Sequence, residues 1–387
     1  MSHAQAVYRK HNSFVGILDK NPDAAMQARR RVEGLRARHD LMQPLSTKER
    51  MILDHVFTDL FEDGPPHGEP RFALSTQVAA EINSYPDDRV LPRYLVHRYR
   101  YEIYPQRYEL DGFPPYLQIE PTSVCNYRCV FCFQTDRYFT KKSNGFMGHM
   151  SLNLFKRIID ESEKRVEFLS LSSRGEPLLC REIEAMLAYT RGKFLNLKLN
   201  TNASLLDDRK CHAILQSGVK TVVFSADEAT EPFYSRLRVG GELNRVLSNV
   251  ERFQRIRKQE YPSSQIITRV AGVKFHDGQD LNAMSRVWSD LVDQIAFVTY
   301  NPWENVYERP VSEILTPCSD LWRRMFIWWD GTVNPCDVDY KSTLSVGRVQ
   351  DCSLSNLWTS EAYRNLRAIH LNKKRSAKLP CKRCVVV

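Results

Sequence analysis

Three cysteines in the middle of the chain carry the strongest chemical signal in the sequence. Cys125, Cys129 and Cys132 have the spacing C-x3-C-x2-C, a few residues after the apolar run YLQIE. Three thiolates on one loop can bind a 4Fe-4S cluster, which leaves one iron without a protein ligand and open for chemistry. The alternatives are a zinc site that lacks its fourth ligand and a set of buried structural thiols.

Four further cysteines form a second set near the C-terminus. They lie in the segments TPC, NPC and LPCKRC, at Cys318, Cys336, Cys381 and Cys384. Four thiolates can hold one zinc ion tetrahedrally or ligate an iron–sulfur cluster completely. The sequence has no stretch typical of an export signal or a membrane span, so we expect a cytoplasmic protein whose thiols are reduced.

The elements around the first cysteine set predict an α/β fold. Apolar, β-rich runs occupy residues 166–173, 195–202, 220–227, 265–273 and 293–300. Segments with helical periodicity separate these runs. Together with the strand before Cys125 they predict about six β/α units around a parallel sheet, whose functional edge lies at the C-terminal ends of the strands.

The first cysteine loop resembles that of the radical S-adenosylmethionine (radical SAM) superfamily. The family's loop reads C-x3-C-x-aromatic-C, and Phe131 stands at the aromatic position. The resemblance implies a partial (β/α)6 TIM-type barrel and a cluster whose open iron binds S-adenosyl-L-methionine (SAM). It further implies reductive cleavage of SAM to a 5′-deoxyadenosyl radical that abstracts a substrate hydrogen, and a reducing partner such as flavodoxin or ferredoxin.

Other motifs follow in the family's order at the ends of predicted strands. Gly175, Glu176 and Pro177 resemble the GGEP motif that binds the SAM amino group, and Arg174 departs from that motif. The resemblance implies further SAM contacts at two more strand ends. Asn200 and Asn202 belong to a "TNG" strand end in which Ala203 replaces Gly. The other implied contacts are Ser225, at an "SxD" strand end, and Arg238.

The second cysteine set resembles the SPASM/twitch extension of radical SAM enzymes over residues 316–384. A full SPASM domain has seven cysteines, whereas this segment offers four good ligands, so the resemblance implies one auxiliary 4Fe-4S cluster on Cys318, Cys336, Cys381 and Cys384. Such a fully ligated cluster suits an electron acceptor or relay. Zinc is the alternative occupant.

The sequence divides into three predicted domains: a mainly helical N-terminal extension (1–111), a radical SAM partial barrel (112–311) and a SPASM/twitch-like domain (312–387). Residues 1–63 have helical patterns, including a capping box at Ser46 and Glu49, and Gly64-Pro65-Pro66 ends this stretch. An aromatic, Arg-rich segment around residues 92–115 connects it to the barrel.

The net charge of +9 is concentrated in basic runs. One run comprises Arg29, Arg30 and Arg31, and the other lies after residue 361. Such runs are usually solvated helix faces, and the alternatives are phosphate or nucleic-acid contacts. We expect a small-molecule substrate, with no membrane or nucleic-acid partner, and the C-terminal run could hold a phosphorylated substrate.

Three cysteines remain outside the two sets, at Cys180, Cys211 and Cys352. Each is explained most simply as a buried small side chain, but a thiol can also return a hydrogen atom to a substrate radical, and Cys352 is our candidate. Asp337 and its neighbour Asp339 are candidate general bases, with turn residues as the alternative.

The sequence therefore predicts a radical SAM oxidoreductase or epimerase that acts on a small polar metabolite, such as an aminosugar or a nucleotide-linked sugar. Dehydrogenation is favoured over epimerisation, because none of the remaining cysteines sits on a segment that obviously faces a barrel cavity. Two alternatives stay open. One is an enzyme that modifies a ribosomally made peptide, and the other is a non-catalytic protein that binds zinc or nucleic acid.

Overall fold

A computed structural model gives the positions of residues 7–8, 14–19, 21–62, 69–301, 304 and 306–387. Its strands form one sheet in the order β1-β7-β6-β5-β4-β3-β2-β8-β9-β10. They are β1 (Phe14–Asp19), β2 (Tyr116–Ile119), β3 (Phe168–Leu171), β4 (Asn196–Thr201), β5 (Val219–Ser225), β6 (Ile267–Lys274), β7 (Gln294–Thr299), β8 (Arg324–Ile327), β9 (Thr332–Asn334) and β10 (Gly347–Arg348).

Helices precede, separate and follow these strands. They are α1 (Ala24–Leu35), α2 (His39–Met42), α3 (Thr47–Phe61), α4 (Thr76–Asn83), α5 (Leu91–Glu102), α6 (Tyr104–Arg107), α7 (Arg137–Thr140), α8 (Leu152–Ser162), α9 (Ile183–Tyr189), α10 (Asp208–Leu215), α11 (Glu231–Leu237), α12 (Leu243–Glu260), α13 (Leu281–Trp288), α14 (Asp320–Arg323), α15 (Leu354–Trp358) and α16 (Glu361–Leu371).

Strands β2 to β7 are parallel neighbours in chain order, which confirms the prediction of a partial α/β barrel. The outward side chains of the strands, such as Leu199 of β4 and Phe224 of β5, are fully buried in one apolar core. The same core includes Phe155 of α8, Ile214 of α10 and Val250 of α12. Burial of these apolar faces holds the helices against the outside of the sheet.

The prediction that residues 1–63 are helical is wrong at its start, because Phe14–Asp19 form strand β1. This strand pairs antiparallel with β7, which ends the parallel run from β2 to β7. An uncovered β7 would present a row of unpaired backbone groups, and β1 satisfies them. The capping box at Ser46 and Glu49 is confirmed at the start of α3. The predicted end of the stretch at Gly64-Pro65-Pro66 lies outside the described residues.

The N-terminal extension closes the N-terminal end of the barrel. Its own apolar core, which includes Tyr94 of α5, also contains Tyr116 and Phe168, the first residues of β2 and β3. The hydroxyl of Tyr85 donates to the carbonyl oxygen of Leu195 at 2.8 Å. The segment predicted as a connection around residues 92–115 contains helix α5, so it contributes to this closure.

The C-terminal segment continues the barrel sheet. Strand β8 pairs in parallel with β2, with Met325 opposite Leu117 and Ile327 opposite Ile119. Strands β9 and β10 follow β8 in antiparallel order. The sheet therefore runs unbroken across the domain limit that the sequence predicts at residue 311. Over the described part of the chain, every helix is too short or too polar to cross a bilayer.

Two buried histidines with lowered pKa values, His97 and His370, make the stability of this fold depend on pH, and His97 illustrates the effect. Burial, together with the charges of Arg100 and Arg93, lowers the pKa of His97 from 6.5 to about 3. Between these two values the unfolded chain binds one more proton than the folded chain, so stability falls as the pH falls below 6.5. Lowering the pH from 7 to 5 should therefore cost about 2 kcal/mol of unfolding free energy through this residue.

We expect His97→Gln to reduce this pH dependence, as measured by urea unfolding at both pH values. The matched control is His39→Gln, in a helix where His39 is exposed. If the two variants keep the same pH dependence as the unchanged protein, His97 does not control stability in this range.

Candidate active site

The first cysteine loop begins six residues after the last residue of β2 and is hydrogen-bonded to the residues that follow β4. The amide of Asn202 donates to Asn126 Oδ1 at 3.0 Å, and the amide of Asn126 donates to Ser204 Oγ at 2.9 Å. Asn126 lies between the first two cysteines, so these bonds fix the loop against a strand end. Asn126 and Ser204 were not predicted as site residues, although both have amide or hydroxyl side chains beside recognised motifs.

A second segment, residues 237–241, holds the other side of the loop. The backbone N–H groups of Arg128 and Val130 donate to the carbonyl oxygens of Val239 and Leu237, at 2.8 and 3.0 Å. At Gly241 a Cβ atom would lie 2.8 Å from the ring of Tyr127. This close approach requires glycine at that position.

The three thiols of the loop share a buried environment. Burial and the neighbouring charge of Cys129 raise the pKa of the Cys132 thiol, and burial beside Glu176 raises the pKa of Cys125 to about 12. The backbone N–H of Tyr127 lies 3.4 Å from the sulfur of Cys125, and an Arg238 nitrogen lies 3.9 Å from the sulfur of Cys129. Donors aimed at sulfur suit thiolates that ligate an iron–sulfur cluster.

Residues 175–177 lie directly against this loop. A Cβ atom on Gly175 would overlap the carbonyl oxygens of Thr122 and Val124, so only glycine fits there. The Glu176 carboxylate accepts hydrogen bonds from Thr201 Oγ1 at 2.6 Å and from the backbone N–H of Asn202 at 2.7 Å. Burial raises the pKa of Glu176. These bonds orient a carboxylate that retains lone pairs for an ammonium group.

Arg174, the departure from the GGEP motif, forms a buried ion pair with Glu120. The guanidinium donates to both carboxylate oxygens, at 2.6 and 2.7 Å, and the side chains are 2% and 0% exposed. Arg174 also donates to the carbonyl oxygen of Tyr340 at 2.8 Å and stacks 4.1 Å from the centre of the Trp328 ring. The ion pair thus joins the ends of β2 and β3 to the C-terminal segment.

The remaining predicted SAM contacts surround the same end of the barrel. Arg238 forms an ion pair with Asp227 at 2.5 Å and lies over the ring of Phe131. Ser225 is the last residue of β5 and is half-buried. The side-chain oxygen of Asn200, on β4, is buried and has no hydrogen-bond partner among the described residues. Asp227 was not predicted as a site residue, although it completes the SxD motif.

Three members of the second cysteine set, Cys318, Cys381 and Cys384, lie close enough in the C-terminal segment to influence one another's charge. Burial and the charge of Cys384 raise the pKa of Cys381, and burial raises the pKa of Cys318 to about 12. The backbone N–H of Val386 lies 3.4 Å from the sulfur of Cys384. Cys336 follows β9, where the amide of Asn334 donates to its carbonyl oxygen. Among the described residues, no three His, Cys, Asp or Glu side chains converge as a single metal ion would need.

Two family models match the parts of the chain that hold the cysteine sets. The Radical SAM superfamily model matches residues 119–281, and the iron-sulfur cluster-binding SPASM model matches residues 318–385. The chain is a radical SAM protein with a C-terminal SPASM domain. Its radical SAM domain implies a 4Fe-4S cluster and SAM, and its SPASM domain implies auxiliary iron–sulfur chemistry. Both resemblances seen in the sequence are confirmed.

Known proteins share parts of this radical SAM chain. A GTP 3′,8-cyclase of Clostridium botulinum (strain Okra / Type B1) is 25% identical over 212 residues, which are 53% of this chain and 64% of the cyclase. A tungsten-containing aldehyde ferredoxin oxidoreductase cofactor-modifying protein of Pyrococcus furiosus is 25% identical over 309 residues, 66% of this chain and 84% of that protein. The chain therefore spans less than two thirds of the cyclase.

One solved structure has a similar fold over nearly the whole length of this radical SAM chain. The crystal structure of Streptococcus suis SuiB has a TM-score of 0.50 at 14% sequence identity. The match covers 93% of this chain and 88% of SuiB. At this identity the likeness concerns the fold, including the helical extension and the C-terminal segment.

The three cysteines outside the two sets lie on outer helices and loops. Cys211 is fully buried on α10, and Cys180 is buried with its sulfur 4.0 Å from the carbonyl oxygen of Met150. Cys352 packs against the main core just before α15, whose Ser355 hydroxyl donates to the carbonyl oxygen of Gly112 at 2.6 Å. None of the three belongs to a barrel strand.

The contacts of polar residues in the C-terminal segment correct the expectation for Asp339 and narrow the expectation for the C-terminal basic run. Asp339 accepts hydrogen bonds from the Tyr307 hydroxyl and from Thr343 and Leu344, so it organises a turn rather than serving as a free base. Arg367 and Arg375 of the C-terminal basic run are buried and donate to backbone carbonyl oxygens, which leaves the exposed lysines of that run, such as Lys373, Lys374 and Lys378, available to a phosphate. Asp337 is also buried, beside Cys336.

Loss of the buried ion pair should weaken the whole fold. We expect Arg174→Met to reduce the unfolding free energy by about 3–5 kcal/mol, because the Glu120 carboxylate would remain buried without a counter-charge. Equilibrium unfolding in urea measures this loss. Adding Glu120→Gln to Arg174→Met should restore part of the stability, since it removes the unpaired charge.

The matched control is Arg209→Met, which breaks an ion pair with Glu184 in which Arg209 is 81% exposed. Screening by solvent limits its effect to less than about 1 kcal/mol. Equal losses for Arg174→Met and Arg209→Met would contradict the structural importance of the buried pair.

Proposed function

We propose that this protein abstracts a hydrogen atom from a small polar metabolite bound in the barrel lumen and thereby oxidises it. The observation that supports this most directly is the position of Cys125, Cys129 and Cys132 at the C-terminal ends of the strands. A substrate in the lumen of such a barrel lies beneath that loop. An aminosugar or a nucleotide-linked sugar is the substrate class we favour.

Different residues around the first cysteine loop would bind the cluster and SAM. When bound, the 4Fe-4S cluster and SAM supply a 5′-deoxyadenosyl radical for hydrogen abstraction. Cys125, Cys129 and Cys132 would ligate the cluster, and the oriented Glu176 carboxylate would accept the SAM ammonium group. Arg238, held by Asp227, places a positive charge beside the cluster ligands. Thr201 and Asn202 keep Glu176 in position.

The second cysteine set would hold one auxiliary cluster that supplies one-electron redox chemistry. Cys318, Cys336, Cys381 and Cys384 are its proposed ligands, and Asp337 is our proposed general base for a substrate OH or NH. Dehydrogenation requires that the substrate lose a proton and a second electron after hydrogen abstraction. A fully ligated cluster is suited to accept that electron. The cluster would then pass the electron to the oxidised form of the redox partner, such as flavodoxin or ferredoxin.

The positions of the other thiols support dehydrogenation over epimerisation. Epimerisation needs a thiol that returns hydrogen to the opposite face of the substrate radical. Cys180, Cys211 and Cys352 all lie outside the barrel strands, and Cys352, our proposed hydrogen donor in the case of epimerisation, packs against the main core. The name of the related GTP 3′,8-cyclase also favours a small polar substrate over a peptide.

If the chain binds two separate 4Fe-4S clusters, its iron content can be predicted. The anaerobically reconstituted protein should contain about eight irons per chain, and a Cys125→Ala, Cys129→Ala, Cys132→Ala variant about four. This variant should make no 5′-deoxyadenosine from SAM and dithionite, as measured by liquid chromatography. Continued formation of 5′-deoxyadenosine by the triple variant would exclude the proposed reaction at this loop.

Glu176→Gln should weaken SAM binding about tenfold or more, because it removes the charge opposite the ammonium group. Iron content should stay unchanged, since Glu176 is not a cluster ligand. Equilibrium binding of SAM to the reconstituted protein measures the effect. The control is Glu182→Gln, at an exposed glutamate that follows the same motif. Unchanged SAM affinity in Glu176→Gln would refute this assignment.

The substrate class is tested by deuterium transfer. Holoenzyme, SAM and reductant are incubated with deuterated aminosugars, deuterated nucleotide-linked sugars or deuterated peptides, and 5′-deoxyadenosine is analysed by mass spectrometry. We expect deuterium from a sugar and a product two hydrogens lighter than the substrate. Deuterium transfer from peptides alone would support peptide modification and contradict our proposal.

A further inference from the structure

Strand β4 presents a lysine to the interior of the barrel. Leu197 and Leu199 are fully buried in the core between the sheet and the outer helices. Lys198 and Asn200 alternate with them and retain accessible surface. Because successive side chains of a strand point to opposite faces, Lys198 and Asn200 face the lumen.

Lys198 belongs to a polar row that crosses four neighbouring strands. The strand registers place Gln118 of β2 beside Ser170 of β3, Ser170 beside Lys198, and Lys198 beside Thr221 of β5. The lumen of a (β/α) barrel is ordinarily filled by bulky branched side chains. A continuous polar row in this position therefore indicates a binding surface rather than packing.

The ammonium group of Lys198 lacks an anionic partner within the described part of the chain. The groups that act on it electrostatically are Arg324 and Arg269, which repel it, and Tyr101 and the more weakly acting Glu81, which favour its charged form. Glu81 itself is held by the Tyr94 hydroxyl at 2.7 Å and by Arg98 at 3.6 Å. Burial beside Arg324 accordingly lowers the pKa of Lys198 to about 8.

The neighbouring polar atoms are also unsatisfied. Thr221 is 2% exposed, and its hydroxyl oxygen has no hydrogen-bond partner among the described residues. The nearby cations are already engaged, because Arg269 donates to Gln294 at 2.6 Å and Arg324 to the Tyr101 hydroxyl at 2.6 Å. A half-buried ammonium group without a counter-charge and an unpaired buried hydroxyl are both costly unless a ligand completes them.

We propose that Lys198 and Thr221 bind an anionic group of the substrate, a carboxylate or a phosphate, in the barrel lumen. The ammonium group supplies the charge, and the Thr221 hydroxyl donates a hydrogen bond. This assignment rests on the proposed function, because it requires the substrate to occupy the lumen beneath the first cysteine loop. It narrows the substrate class to an anionic polar metabolite.

Binding of simple anions to the reconstituted holoenzyme tests this proposal. Inorganic phosphate and acetate are titrated separately at low ionic strength and followed by isothermal calorimetry. We expect at least one of them to bind, with an affinity about tenfold or more lower in Lys198→Met and largely retained in Lys198→Arg. Preference for phosphate or for acetate identifies which anionic group the lumen accepts.

The matched control is Lys220→Met. Lys220 is a neighbouring buried lysine on β5 whose pKa is also lowered to about 8 by burial, but it donates to the carbonyl oxygen of Ser84 at 2.7 Å. Its replacement should leave anion binding unchanged. Equal weakening by Lys198→Met and Lys220→Met, or no anion binding by the unchanged protein, would overturn the proposal.

The stability of the Lys198→Met variant is an independent test, because it distinguishes a ligand-binding lysine from one that stabilises the fold. Replacing an unpaired buried charge with an apolar side chain of similar length is neutral or stabilising. Lys198→Met should therefore unfold in urea at the same or a higher concentration than the unchanged protein, and a large loss of stability would contradict the proposal. Failure of the proposed function is distinct, because deuterium would then reach 5′-deoxyadenosine from peptides alone, whatever the result of the anion titrations.

Discussion

The buried ion pair between Glu120 and Arg174 connects the parts of the molecule that bear chemistry. Glu120 directly follows β2 and precedes the first cysteine loop, and it also accepts the backbone N–H of Trp329, which follows β8. Arg174 directly precedes Gly175 and Glu176 and bonds to Tyr340 of the SPASM domain. Two buried charges are stable only when each is paired, so this contact fixes the two domains relative to each other.

The two ends of the barrel are therefore built for different tasks. Helices of the N-terminal extension close one end with apolar side chains. For example, the ring of Tyr94 on α5 contacts the ring of Phe168 on β3. The other end is covered by the first cysteine loop, which Asn126 and the segment around Val239 hold in place. A closed lumen can keep polar side chains such as Lys198 away from bulk water, which strengthens their interaction with a charged substrate.

Local patterns in the sequence predicted the parallel strands, both cysteine sets and the order of the SAM motifs, because spacing and periodicity are readable along the chain. Contacts between distant segments could not be predicted this way. The pairing of β1 with β7 and of β8 with β2 depends on which sheet edges are open after the barrel forms. In the sequence Arg174 is only a departure from a motif, because its partner Glu120 lies at the end of another strand. Lys198 is one polar residue in an apolar run, and only the strand registers place it in the lumen.

Pulsed electron paramagnetic resonance of the reduced holoenzyme with SAM carrying a ¹³C-labelled methyl group tests the assigned site most directly. If SAM binds the open iron of the cluster on Cys125, Cys129 and Cys132, the labelled carbon lies close enough to the reduced cluster to show a ¹³C hyperfine coupling. We expect this coupling in the unchanged protein and a weaker one in Glu176→Gln at the same SAM concentration. A reduced cluster on this loop without any ¹³C coupling at saturating SAM would contradict the assignment.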